Sequence, residues 1–168
     1  MKKIVIITAL ALILTPLAAL ATTTQEVDLD FEIPQIVDID WSVDGSSVQL
    51  TGASAITVDE FDAGYKDNIS GGTLECTANE AFDITVEAAG VTFTGGSGTK
   101  AVTTMYVDVD AAGTYANQMQ SGATPVTIID EQPATQNELH TLKYKINLYS
   151  DDSPGTYATT LTYTILVD

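Results

Sequence analysis

Arginine is absent from these 168 residues, and six lysines stand against 23 acidic residues, for a formal net charge of −17. Phosphate recognition leans on arginine forks and basic patches. Nucleic acid is therefore disfavoured as a partner, and so is an anionic membrane surface. The partners such a charge favours are cations, basic surfaces, or further copies of the chain once cations screen the repulsion. The same charge also serves a simpler end, keeping a sticky β-protein soluble. Cysteine is nearly absent: Cys76 stands alone, so the chain cannot staple itself. In phase with Leu74 in "GGTLECTANE", it reads as a buried structural thiol. A single histidine, His140, rules out a His-rich zinc site and is the one base open to a Ser-His-acid triad. It stands in polar context at the entry to "TLKYKINL", where a strand-end surface histidine is expected. No nucleophile-elbow motif and no glycine-rich loop opening a helix is present. Helical stripes are also missing after the first 21 residues.

What is present begins with a leader. Lys2 and Lys3 precede an apolar run from Ile4 to Leu14, Pro16 breaks it, and Ala19-Leu20-Ala21 forms a small-x-small site. That order describes a secretory signal peptide over residues 1–21, cut after Ala21. A membrane span needs about 20 apolar residues, and Thr15 and Pro16 interrupt this run. No cysteine follows the cut to carry a lipid. The expectation is a secreted protein, extracellular or held at the cell surface, without membrane insertion after cleavage. Residues 22–168 make one domain of usual size, and loss of the two leader lysines takes its charge from −17 to −19.

The rest alternates with period two. In "EVDLDFEI", Val27, Leu29, Phe31 and Ile33 share one face, with Asp28, Asp30 and Glu32 on the other. Pro34 interrupts, and "VDIDW" resumes. "VDGSSVQL", "ITVDEF", "GGTLEC", "AFDITVEA", "VTFT", "TTMYVDVDA" and "VTII" read as further short strands. "HTLKYKINLYS" puts Leu142, Tyr144, Ile146 and Leu148 inward and Lys143 and Lys145 outward. "AAGTYANQMQSG" reads as a loop. Short strands at intervals of about 8–12 residues, with turn signals between them, predict an all-β chain: a single antiparallel Ig-like β-sandwich.

Two acidic residues are candidate metal ligands. "DVDAAG" places Asp108 and Asp110 ahead of Gly113, a fragment of the oxygen-rich turn that calcium wants. It lacks the distal Glu of an EF-hand, and outward aspartates at a strand end account for it as well. No other cofactor is implied. Asn68-Ile69-Ser70 matches a glycosylation sequon, a pattern short enough to arise by chance.

"SPGTYATTLTYTILVD" raises the question of what a long run of β-formers pairs with, since an uncovered edge is an aggregation hazard. Pro154, Gly155, Thr156 and Tyr157 form a turn into a threonine-rich strand. Tyr157, Leu161, Tyr163, Ile165 and Val167 align inward, and Thr160, Thr162 and Thr164 outward. This stretch resembles the closing strand of exported bacterial Ig-like structural domains: the spore coat protein U type, related pilins, and WxL-type surface domains. Trp41 is not in a W-x-L motif, and Cys76 lacks the partner many pilins possess. The resemblance implies a structural surface or fibre subunit and carries over no catalytic residue.

The expected function is therefore a secreted structural subunit of a filament, pilus or surface layer, a homo-oligomer joined by strand complementation. Residues 22–33 would be the donor strand, with Val27, Leu29, Phe31 and Ile33 at the subunit interface. The same segment also reads as the first strand of its own sandwich, bent at Pro34. Two further function classes stay open: an adhesin or calcium-dependent carbohydrate-binding module, and a hydrolase using a carboxylate pair.

Overall fold

The period-two segments pair into two antiparallel sheets in a computed structural model, which describes residues 30–43, 45, 47–50, 54–110, 112–122 and 124–167. Sheet A has the order β1-β2-β7-β4-β5 and sheet B the order β6-β3-β8. Their ranges are β1 Val37–Val43, β2 Tyr65–Ala78, β3 Phe82–Ala88, β4 Met105–Val109, β5 Asn117–Gln118, β6 Val126–Gln132, β7 Thr135–Asn147 and β8 Leu161–Val167. The chain clusters into two units, Met1–Ile33 and Pro34–Asp168, and both sheets lie within the second. The expected all-β antiparallel sandwich is what forms.

The order of sheet A places β1, β2, β7 and β4 as the A, B, E and D strands of an immunoglobulin sandwich, with β3 and β8 as C and F. β6 lies on the far side of β3, although the chain reaches it only after β4 and β5. Alternation drives the burial. Phe82, Ile84 and Val86 of β3 are fully buried, as are Val107 of β4 and Leu142 of β7. Met119, just past β5, closes the core where its backbone N–H meets the Met105 carbonyl.

Three expectations give way. "ITVDEF" is not a strand: Val58–Ala63 forms a helical turn, α1. Thr57 caps it, its hydroxyl accepting from the Glu60 N–H while the Glu60 carboxylate accepts from the Thr57 N–H. This is a reciprocal capping box written in the sequence as Thr-x-x-Glu, and Gly64 ends the turn in the left-handed region. "VDGSSVQL" does not give a second strand at Val48 and Leu50. "VTFT" contributes only isolated bridges at Thr92 and Thr94. A fourth difference lies in β2, whose 14 residues run well upstream of "GGTLEC" and carry register shifts after Lys66, Ser70 and Cys76. At one of these, Gly72 sits at φ +85, and a Cβ there would lie 2.6 Å from the Val43 carbonyl oxygen. Only glycine lets β1 leave the sheet so close to β2. Among the described residues no helix is long and apolar enough to cross a membrane.

Candidate functional site

Among the described residues no strand occupies the place beyond β8. In the immunoglobulin order strand G lies next to F, yet β8 pairs with β3 alone among the described residues. All seven residues of β8 are in continuous register with β3, from Phe82↔Val167 to Ala88↔Leu161. Its other edge is therefore a regular row of backbone donors and acceptors without a bulge. Across the gap, β1 covers β2 only from Thr73 to Ala78. Among the described residues the first half of β2 thus has no strand on that side.

Between these two edges lies a cleft of about 1260 Å³. Ile69, Leu74, Met105, Tyr144 and Ile146 line it from sheet A, and Leu161 and Tyr163 from β8. Residues 153–160 line it too, as do Val48, Leu50 and Phe61. At the β1 end the sheets meet. The Trp41 ring stands edge-on to Tyr163 at 5.9 Å between centroids, and the Tyr163 and Tyr144 hydroxyls are 2.7 Å apart. Burial pushes the ionisation of both tyrosines up from the ordinary phenol range.

Burial along β8 is nowhere complete. Its alternation has the expected phase, with Thr162 and Thr164 exposed, but Leu161, Tyr163, Ile165 and Val167 are only partly buried. An apolar strand that is half covered and half paired explains the closing stretch of the sequence. The strand pairs with β3 on one side and, among the described residues, with no strand on the other.

One ion pair lies in the cleft wall. Lys100, 6% exposed, meets Asp152, whose carboxylate also accepts the Tyr149 N–H. The Lys100 ammonium stands 5.3 Å from the Tyr149 ring centroid. The pair ties the loop carrying Phe93 to the segment leading into β8. Sequence reading passed over Lys100, since a lone lysine in "GSGTKAV" carries no pattern.

Asp108 and Asp110 are near each other but serve separate ends. Asp108, on β4 opposite Lys143, is 2% exposed, and its carboxylate accepts the Gly113 N–H at 2.7 Å. Asp110 follows β4 at φ 56. It accepts the Thr141 N–H at 2.9 Å and lies 3.0 Å from His140 Nδ1. Among the described residues no three His, Cys, Asp or Glu side chains are grouped to hold a metal ion. His140 is itself a correction: it is buried, not a surface histidine, and its Nε2 finds no partner. Its period-two phase with Leu142 and Tyr144 was the signal that its polar neighbours hid. Cys76 is buried as expected, and desolvation raises its thiol to about 11.

Of the four candidate interface residues, Val27 and Leu29 lie outside the described residues. Phe31 and Ile33 are 77% and 66% exposed, and Asp30–Ile33 belongs to no strand. No protein-family model matches this chain, and no curated protein matches it either.

Proposed function

We propose that this chain is a secreted structural subunit of an extracellular filament, pilus or surface layer, and that subunits join by β-strand complementation. The observation that carries this reading is the edge of β8 that no described residue pairs with, beside an apolar cleft. The occupant is the segment Val27–Ile33 of a neighbouring copy. Its four apolar residues at period two suit a cleft floor, and its acids face outward. Seven extended residues span about 23 Å, which matches the seven residues of β8. Exposure of Phe31 and Ile33 leaves these side chains available to a neighbour. Backbone bonds to β8 supply part of the affinity. Burial of each apolar side chain adds about 1.5–3 kcal/mol before ordering costs. Export follows from the leader, which would be removed before assembly.

The test removes Thr22–Ile33 from the mature protein and returns it as a peptide. A donor strand gives a truncated protein that stays folded but no longer assembles, that binds the peptide, and whose β8 amides gain exchange protection on binding. A truncated protein that unfolds unaided, or one that assembles unchanged, overturns the reading.

A further inference from the structure

Sheet A carries cations and sheet B carries none. The four lysines after the leader are Lys66, Lys100, Lys143 and Lys145. Lys66 is paired with Glu60 and Lys100 with Asp152. Lys143 and Lys145, in a chain of 23 acids, have no carboxylate within bridging distance among the described residues. They stand two apart on the outward face of β7. Lys145 lies 4.4 Å from the Tyr65 ring centroid and Lys143 is 3.3 Å from Asn68 Oδ1. Their cross-strand neighbours on β4 are Tyr106 and Asp108. Asp108 is buried and bonded to Gly113. Asp38, Asp40 and Glu75 lie on the β1 side of the sheet, whereas Asp67 stands beside the patch, its carboxylate accepting from the Asn68 Nδ2 amide.

The outward face of sheet B is the opposite. β3, β6 and β8 contain Asp83, Glu87, Asp130 and Glu131 and no lysine. A row of threonines, Thr127, Thr85 and Thr164, crosses all three strands between Asp83 and Glu87. One molecule thus presents two lysines, flanked by Tyr65 and Tyr106 with Asp67 and Asp108 nearby, on one sheet, and a lysine-free acidic face on the other. Potentials of opposite sign on two different faces favour a heterologous contact, which repeats without closing.

We propose that the Lys143 and Lys145 patch of sheet A docks on the outward face of sheet B, at Asp83 and Glu87, of a second copy. The choice of a second copy rests on the structural-subunit reading, but the contact is separate from strand exchange. It provides side-to-side cohesion between subunits whose net charge otherwise drives them apart.

The test is sedimentation velocity of the mature protein carrying Phe31→Asp, which disables strand exchange, at about 50 and 500 mM salt. The residual association weakens about tenfold or more with salt, since exposed charges are screened beyond roughly 10 Å. Lys143→Glu/Lys145→Glu abolishes it, and so does Asp83→Lys/Glu87→Lys. Mixing the two variants restores a salt-sensitive complex, because the reversed faces match again. Asp83 also accepts the Glu131 N–H, so Glu87→Lys alone replaces the double variant if the latter fails to fold by circular dichroism. Association unchanged by the lysine reversals, or no complex in the mixture of folded variants, overturns the proposal. So does a lysine reversal that abolishes binding to dextran sulfate while leaving self-association intact. Loss of assembly in Phe31→Asp without any effect of the lysine reversals sinks this contact and leaves the strand reading standing.

Discussion

The two sides of the sandwich differ in how completely they are closed. On the β4 side, β5 extends sheet A and Met119 and Val107 are fully buried. On the β8 side, side chains of the same alternating pattern are only partly covered, and a cleft stands where a strand would lie. Strand composition is similar on both sides, so residue type does not set the burial. The count of neighbouring strands does. Among the described residues, the half-buried apolar face lies beside the one edge of β8 that carries no strand.

The largest effect expected on this contrast comes from the closed core. Phe82→Ala should cost about 3–5 kcal/mol by urea unfolding, since a fully buried ring leaves a cavity. Leu161→Ala should cost about 1 kcal/mol or less in the isolated subunit, because its removal leaves little new void in an open cleft. Equal costs would break the comparison. In the assembled protein the Leu161 effect should grow toward the core value, which would sharpen it.

A second effect lies in alkali. Cys76 is raised to about 11, and Tyr144 and Tyr163 are raised by burial. Each group is held in its neutral, protonated form in the folded state. Its contribution is fully present below the unfolded value, near 9 for the thiol and near 10 for the phenols. It is lost as pH rises from there through the folded values. Melting temperature should hold to about pH 9 and then fall, and Tyr163→Phe should lessen the fall above pH 10. An unchanged slope in that variant would remove the sheet-bridging phenol pair as its cause.

Smaller again is the cap. Thr57→Ala should cost about 1 kcal/mol, with loss of the Glu60 N–H bond. Because Phe61 on the same turn lines the cleft, the variant should also weaken binding of the donor peptide, read by titration calorimetry. The smallest change belongs to the outward threonines. Thr164→Ala should move stability by no more than about 0.5 kcal/mol. A larger loss would mean that the outer face of sheet B is covered in the free subunit.

Fold class was legible because alternation is a local signal. Val107, Leu142 and Tyr144 announce their faces within a few residues. The short helix was legible too, had the Thr57–Glu60 spacing been weighed above the β-branched Ile56 and Val58. His140 was misplaced because polar neighbours outweighed phase. The cleft itself could not be read. It arises where β1 departs from β2 at Gly72 and where no described strand pairs with the far edge of β8, both matters of long-range pairing. Lys100 and Asp152 meet across 52 positions, and nothing near either residue points to the other. The closing stretch raised the question of what β8 pairs with, and among the described residues that partner is β3 alone.

The central pairing of sheet A also sets a clock. β2 and β7 lie on either side of four intervening strands, and the contact of Lys143 with Asn68 spans 75 positions. A ladder of such separation forms only after most of the chain has been made and its loop entropy overcome, so folding is expected to be slow, on the order of milliseconds to seconds. Throughout that interval the β8 sequence is an unshielded, charge-free ribbon.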